Sequence, residues 1–173
     1  MDKSVCFTGH RHIGKHKSQI EKSLLSVIEQ LIVQRNVTDF YVGGAYGFDA
    51  LASLTVLRIK ETYPQVKLHM ILPCSNEEQT AKWSKEQKNE FEYILAHTDS
   101  IEYISEHYYN GCMKVRNTRL VELATECCIC YWNIANIRSG TGQTVRMAQK
   151  IGLEIINLYE ATLHIDNLFV NDN

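Results

Sequence analysis

The sequence has no long apolar run and no strong excess of either charge. No stretch approaches the roughly 20 apolar residues of a transmembrane helix, and the start, MDKSVCFTGHRH, lacks the small-residue cleavage site of a secretory signal. We therefore expect a cytoplasmic protein without a membrane partner. The net charge of -2 excludes a global field that would recruit nucleic acid, although a local basic patch could still do so.

A disulfide framework is also not expected, although the chain has six cysteines. Cys127, Cys128 and Cys130 lie in the run CCICYW, which is typical of a buried strand. On a strand, Cys128 and Cys130 share one face and Cys127 points to the other, a poor tetrahedral arrangement, and no CxxC partner occurs elsewhere. We predict buried, reduced thiols and no metal site.

What the sequence does have is a regular alternation of short apolar runs and amphipathic segments. The 173 residues are 45% hydrophobic and 22% charged, which is typical of a single soluble domain, here 1–173 with 159–173 as a C-terminal extension. The pattern predicts strands at 4–9, 39–44, 66–73, 100–105, 127–132 and 153–159, and helices at 18–35, 47–63, 85–97, 112–125 and 142–152. This alternation predicts a Rossmann-like α/β fold of three layers, with a mostly parallel sheet and helices on both faces.

Three glycine-containing loops follow predicted strands. The first carries Thr8, Gly9, His10 and Arg11, the second carries Gly43 and Gly44, and the third is the segment SGTGQT, which begins at Ser139 and includes Gly140, Thr141 and Thr144. Since the carboxyl ends of parallel strands lie at one edge of the sheet, these loops are expected to meet there.

Glycine allows close backbone approach, and the free N–H groups at a helix start favour an anion. A phosphate is the natural occupant. For any one loop the alternative is a plain turn, in which Ser139 or Thr141 serves only as the helix N-cap. The glycine spacing matches neither the dinucleotide fingerprint nor a Walker A loop, so we predict no bound cofactor of those classes. His10 has no carboxylate or cysteine at ligand spacing, which favours contact with phosphate or sugar over metal.

Five blocks of the chain together resemble a known family. These are CFTGHR, VGGAYGFDALA, ILPC, YYNGCMKVRNTRLVE and SGTGQTVRMAQKIGLEIIN. They are similar to the YpsA-type branch of the SLOG superfamily, Rossmann-like proteins that include the DNA-processing Smf/DprA proteins and the lonely-guy phosphoribohydrolases. The resemblance covers residues 3 to 158. It implies a nucleotide or nucleotide-derived ligand. Arg116 could clamp its phosphate and Asn117 fix a base or sugar; the alternative is that both only cap and bridge neighbouring helices.

The resemblance leaves open whether the chain is an enzyme. Lonely-guy enzymes cleave an N-glycosidic bond and carry a glutamate at the position that Thr144 takes here, and threonine neither stabilises an oxocarbenium-like centre nor activates water well. Asp49 is the candidate replacement carboxylate. Its alternative role is to favour the dipole of the helix that it begins.

Three functions therefore stand side by side: a sensor or binding domain for a nucleotide-type ligand, an N-glycosidic hydrolase or transferase, and a single-stranded nucleic-acid binder, which is not favoured. A homo-oligomer is also expected. The predicted ligand-binding residues are Thr8, Gly9, His10, Arg11, Gly43, Gly44, Arg116, Asn117, Ser139, Gly140, Thr141 and Thr144, with Asp49 as the catalytic candidate.

Overall fold

The computed structural model describes residues 2–160 and shows one six-stranded sheet with strand order β4-β3-β2-β1-β5-β6. Every strand pair is parallel, so the sheet is wholly, not just mostly, parallel in this part of the chain. The strands are β1 (Lys3–Gly9), β2 (Val37–Val42), β3 (Lys67–Leu72), β4 (Ser100–Tyr103), β5 (Cys127–Tyr131) and β6 (Glu154–Asn157).

Helices connect the strands and cover both faces of the sheet. They are α1 (Lys17–Arg35), α2 (Phe48–Lys60), α3 (Asn76–Thr80), α4 (Lys85–His97), α5 (Cys112–Leu123) and α6 (Gly140–Lys150), with a short 3₁₀ turn at Gly14–His16. Helices α1, α2 and α4 belong to the larger hydrophobic core on one face, whereas α5 and α6 enclose the smaller core on the other. This confirms the predicted Rossmann-like α/β fold.

Several helices differ in their bounds from the sequence prediction: α2 ends at Lys60, three residues before its predicted end, and α5 ends at Leu123, two residues before its own. Helix α6 begins at Gly140, two residues before the predicted start, because the Ser139 side chain caps it. The one-turn helix α3 lies between the predicted strand 66–73 and the predicted helix 85–97, where no helix was predicted. At its start, Ser75 accepts a hydrogen bond from the Glu78 N–H. Both starts use a serine N-cap, a signal too short-ranged to register in a search for apolar periodicity.

The core lies where the periodicity places it. In α1 the residues at helical spacing, Ile20, Leu24, Ile28 and Leu31, are all buried, and every residue of β5, which lies between β1 and β6, is buried. A run without polar residues is what a parallel strand covered on both faces requires.

All six cysteines are free and buried, as predicted. Cys127 belongs to the larger core, and Cys128 and Cys130 belong to the smaller one with Cys6. Burial raises the pKa of the Cys127 thiol to about 12, which keeps it protonated. Of the predicted C-terminal extension, 159–173, residues 161–173 lie outside the described residues. Within 2–160, none of the helices has the length and apolar character needed to cross a membrane.

The strand order places a switch point between β1 and β5. The chain runs outward from β1 through β2 and β3 to β4, and then returns to lay β5 and β6 on the opposite side of β1. The connections that leave β1 and β5 therefore diverge, which opens a crevice at the carboxyl ends of these two strands.

Candidate functional site

A cleft of about 600 Å³ occupies the switch point. It is built from the loop after β1, the loop before α2, one side of α5 and the start of α6. Its volume lies within the range of small-molecule sites, roughly 300–1,000 Å³. The lining residues are Phe7, Thr8, Gly9, His10, Arg11, His12, Ala45, Tyr46, Asp49, Met113, Arg116, Asn117, Leu120, Asn136, Ser139, Gly140 and Thr141.

The start of α6 forms one wall of the cleft. Ser139 accepts a hydrogen bond from the Gly142 N–H at 3.0 Å and donates to the Asn136 carbonyl at 2.9 Å, which fixes the N-cap. The N–H groups of Gly140 and Thr141, the first two residues of the helix, have no partner within it. Together with the positive end of the helix dipole, they form a surface that favours an anion.

His10 joins the two central loops at the base of the cleft. Its Nε2 accepts a hydrogen bond from the Asn133 N–H at 2.9 Å. Because a backbone N–H can only donate, Nε2 is unprotonated, and the proton of the neutral ring lies on Nδ1. Burial also lowers the pKa of His10. His10 is therefore a neutral side chain that links the loop after β1 to the loop after β5 and lines the cleft.

The loop before α2 lies directly against the loop after β1. Gly47 has a φ of 83°, and a Cβ there would overlap the Arg11 carbonyl. The next residue, Phe48, donates its N–H to the His10 carbonyl at 3.2 Å. Only glycine satisfies both the positive φ and the close backbone approach, and this contact positions Asp49 at the cleft.

Asp49 and Arg116 are two buried ionisable side chains at the wall of the cleft, exposing 5% and 6% of their surfaces. Burial raises the pKa of Asp49, and the charge of Arg116 and the Ala45 N–H, 3.2 Å from Oδ2, oppose the shift. Burial likewise lowers the pKa of Arg116, against the charge of Asp49. An arginine stays protonated in such surroundings, and each of the two side chains favours the charged form of the other.

Arg116 is held in place by two further contacts. Its Nη1 donates to the Gly43 carbonyl, and its Nε donates to Asn117 Oδ1 at 2.8 Å. These contacts tie α5 to the end of β2. Arg116 and Asn117, which the family resemblance suggested, therefore reach the cleft as one hydrogen-bonded unit.

Of the predicted binding residues, Gly43, Gly44 and Thr144 do not line the cleft. A Cβ at Gly43 would overlap the Arg116 guanidinium, and one at Gly44 would lie 2.5 Å from Leu72 Cδ2. Thr144 is fully buried and donates its hydroxyl to the Gly140 carbonyl at 3.0 Å. These three residues therefore pack on the interior side of the loops and do not face the cleft.

Three arginines at or near the cleft differ in their surroundings. Arg11 is exposed at the mouth of the cleft, with its guanidinium 5.1 Å from the centre of the Tyr46 ring. Arg116 is buried, and Arg119 makes a two-point pair with Glu102 at 2.9 and 3.2 Å. Among residues 2–160, no three metal-ligating side chains gather into a metal site.

Seven of the lining residues were not predicted: Phe7, His12, Ala45, Tyr46, Met113, Leu120 and Asn136. Tyr46 had a recognisable signal, since it lies between Gly44 and Gly47, both with positive φ, where an aromatic side chain projects from a tight turn. Met113 and Asn136 carry no such signal. The proximity of Asp49 and Arg116, which shift each other's pKa, was also not predicted, because the two residues are far apart in sequence.

Comparison with known proteins gives relatives of moderate similarity. A UPF0398 protein of Halalkalibacterium halodurans is 27% identical over 115 residues, 65% of this chain and 57% of its own length. The uncharacterized SPbeta prophage-derived protein YoqJ of Bacillus subtilis is 34% identical over 88 residues, 51% of this chain and 50% of its own. The matched region thus spans about half the length of these relatives.

A solved structure, the muconate lactonizing enzyme from Mucobacterium Smegmatis, aligns with 90% of this chain and 45% of its own at 12% identity. Its TM-score of 0.34 is too low to support a conclusion. The family model for YpsA, described as the YspA SLOG family, matches residues 6–156. That span includes every strand of the sheet except the first residues of β1 and the last residue of β6, and all the elements that build the cleft. The chain belongs to the YspA SLOG family.

Proposed function

We propose that the chain binds a nucleotide or a nucleotide-derived phosphorylated ligand in the cleft between β1 and β5 and acts as a sensor or ligand-binding domain. The open start of α6 carries the proposal. Gly140 and Thr141 line the cleft, and their N–H groups have no partner within the helix. A phosphate would accept from these groups and interact favourably with the helix dipole.

The charges around the cleft support an anionic ligand. The positive end of α6 and the exposed Arg11 supply positive potential at the cleft, and the buried Arg116 adds a charge that the neighbouring Asp49 carboxyl opposes. The cleft adds the amide of Asn117 and the hydroxyl of Thr141, which are suited to ribose or phosphate oxygens.

Thermal unfolding with a nucleotide panel tests this proposal. A ligand that binds only the folded state at 100 times its Kd stabilises it by about 2.7 kcal/mol, so the melting temperature should rise with at least one nucleoside monophosphate. Thr141→Val removes a hydroxyl that lines the cleft and should reduce this rise. Thr144→Val is the matched control, since it makes the same change three residues later, behind the wall, and should leave the rise intact.

The proposal fails if no nucleotide or inorganic phosphate shifts the melting temperature, or if both threonine variants respond alike. A thermal response that disappears steeply with added salt and appears only with oligonucleotides would instead support single-stranded nucleic-acid binding.

One observation favours N-glycosidic cleavage as a second candidate. Asp49 lies in the cleft with a pKa that burial raises, and a shifted carboxyl in a cleft is typical of acid–base catalysis. Cleavage predicts release of free base from a bound nucleotide, and Asp49→Asn should abolish release while binding is retained. Release that survives this substitution would exclude Asp49 as the catalytic group. No release by the wild type, with binding intact, would leave the sensor role.

A further inference from the structure

A second cavity adjoins the cleft on the side of β3. Its volume is about 560 Å³, close to that of the cleft. The two cavities share three lining residues, Arg11, Tyr46 and Met113, so they open into each other across this boundary. We call the second cavity the aromatic compartment, and its remaining lining residues are Pro73, Cys74, Glu78, Gln79, Ala81, Lys82, Trp83 and Tyr108.

Three aromatic side chains line the aromatic compartment, and two of them are held by ring contacts. Trp83 meets Tyr46 edge to face, with ring centres 5.2 Å apart, and meets Phe91 in the same way at 5.5 Å. The third, Tyr108, exposes 59% of its surface. Rigid aromatic walls favour a flat aromatic guest, because ring faces stack with little loss of side-chain freedom.

The loop that carries Tyr108 is fixed from below. Glu78, on α3, accepts hydrogen bonds from the Tyr108 N–H and from His107 Nδ1. These two contacts lower the pKa of Glu78, the backbone contact most, so the carboxylate stays ionised at neutral pH. The one carboxylate on the wall is therefore already engaged with the chain itself, and it holds Tyr108 at the compartment.

Gln79 adds a polar group to the same wall. Its Nε2 donates to the Gly44 carbonyl at 2.8 Å, which fixes the orientation of the amide. Its Oε1 is shielded from solvent and has no hydrogen-bond partner among the described residues. Because Oε1 has no surface open to the compartment, Gln79 shapes this wall and offers no free acceptor to a guest.

We propose that the aromatic compartment takes the base of the nucleotide whose phosphate occupies the cleft. The phosphate lies at the start of α6, the sugar crosses the boundary at Arg11 and Tyr46, and the base stacks on Tyr108, beside Trp83. This assignment rests on the proposed function, and it adds where the base lies and which side chains read it.

Two probes separate the contributions: AMP, which carries a base, and ribose 5-phosphate, which does not. Both are titrated by calorimetry into the wild type, Tyr108→Ala and Tyr109→Ala. Tyr109 is the matched control, because it is the next residue in the same loop, also exposed, and lines neither cavity. Stacking on one aromatic side chain corresponds to roughly 5- to 100-fold in affinity.

We expect Tyr108→Ala to weaken AMP by roughly that factor while ribose 5-phosphate binding and the Tyr109→Ala variant stay at wild-type values. Trp83→Phe keeps an aromatic ring at this position. It should weaken AMP binding less than the double variant Tyr108→Ala with Trp83→Leu, which removes both rings. Equal affinities for AMP in the wild type and in the double variant, or an equal weakening of AMP and ribose 5-phosphate, would overturn the assignment while leaving the phosphate site in place. If neither probe binds the wild type, the proposed function fails and this assignment fails with it.

Discussion

Two glycine loops at the same edge of the sheet look alike in sequence and have opposite roles in the structure. At the loop after β2, side-chain atoms already fill the space beside Gly43 and Gly44, the Arg116 guanidinium beside the first and Leu72 and Met70 beside the second. At the start of α6, nothing lies within 4 Å of the position that a Cβ on Gly140 would take. In the loop after β2, glycine lets neighbouring side chains pack closely against the backbone. At the start of α6, the space beside Gly140 stays open in front of the N–H groups of Gly140 and Thr141.

The difference shows that a glycine-rich loop at the correct edge of a Rossmann-like sheet is not by itself a phosphate site. We expect a binding loop to differ by having unfilled space beside it, as Gly140 has. The contrast predicts that substitutions in the two loops separate stability from binding.

The largest effect on stability is expected for Gly43→Ala. The added methyl group would displace the buried Arg116 guanidinium and break its hydrogen bond to the Gly43 carbonyl. Overpacking and an unsatisfied buried charged group each cost about 1–3 kcal/mol or more, together about 2–6 kcal/mol. The free energy of unfolding, measured in urea, should fall by about that amount. Gly140→Ala is the matched control and should change it by less than about 0.5 kcal/mol. Equal stabilities for the two variants would remove the distinction between the loops.

Gly44→Ala should have a smaller effect than Gly43→Ala. Its φ of 70° costs an L residue about 1–2 kcal/mol, and its nearest neighbours, Leu72 Cδ2 and Met70 Cε, are the ends of flexible side chains that can shift. The expected loss in the free energy of unfolding is therefore about 2 kcal/mol, again by urea titration. A loss larger than that of Gly43→Ala would mean that the contact between Arg116 and the Gly43 carbonyl contributes little to stability.

Ser139→Ala should cost about 1 kcal/mol, because the Gly142 N–H loses its capping acceptor. The loss is local to the start of α6, so amide hydrogen exchange should quicken there and stay unchanged at the loop after β2. Ser139→Asp, which keeps a capping oxygen, is the control and should retain the wild-type exchange pattern. Faster exchange spread over both loops would indicate that they are not independent.

The smallest effect is a pH dependence carried by His10. Burial lowers its pKa below the ordinary 6.5, so the folded state favours the neutral ring. This contribution to stability is complete above pH 6.5 and is lost as the pH falls through the lowered folded-state pKa. In His10→Gln, whose side-chain oxygen can still accept from the Asn133 N–H, this part of the acid loss should be absent. Parallel stability curves for the two proteins would contradict the role given to His10.

The sequence predicted the fold more fully than it predicted the site. Helix α1 and strand β5 were recognisable because burial repeats along them, every turn in α1 and at every residue in β5. The edge at which the loops meet followed from the parallel sheet alone. Thr8, Gly9, His10, Arg11, Asp49, Arg116, Asn117, Ser139, Gly140 and Thr141 were expected at the site and line the cleft.

The sequence could not show which side of each loop faces the interior. Gly43 and Gly44 pack against α5 and β3, and these contacts join residues far apart in the chain. Thr144 is one helical turn from Gly140, and its hydroxyl bonds back to that residue. The aromatic compartment depends on α3, a single turn with no apolar period, so its shape could not be predicted.

The most direct test of the account is a titration of the ¹⁵N-labelled protein with AMP, followed by NMR through the backbone amide signals. If the phosphate binds at the start of α6, the backbone amide signals of Gly140 and Thr141 should shift most, together with those of Gly9 and His10 across the cleft. The amide signal of Gly44 should shift less. The same titration of Gly140→Ala should require more AMP to reach the same shifts. Amide signals that do not move at the start of α6 while AMP binds elsewhere, or no movement with any nucleotide, would contradict the assignment of this cleft.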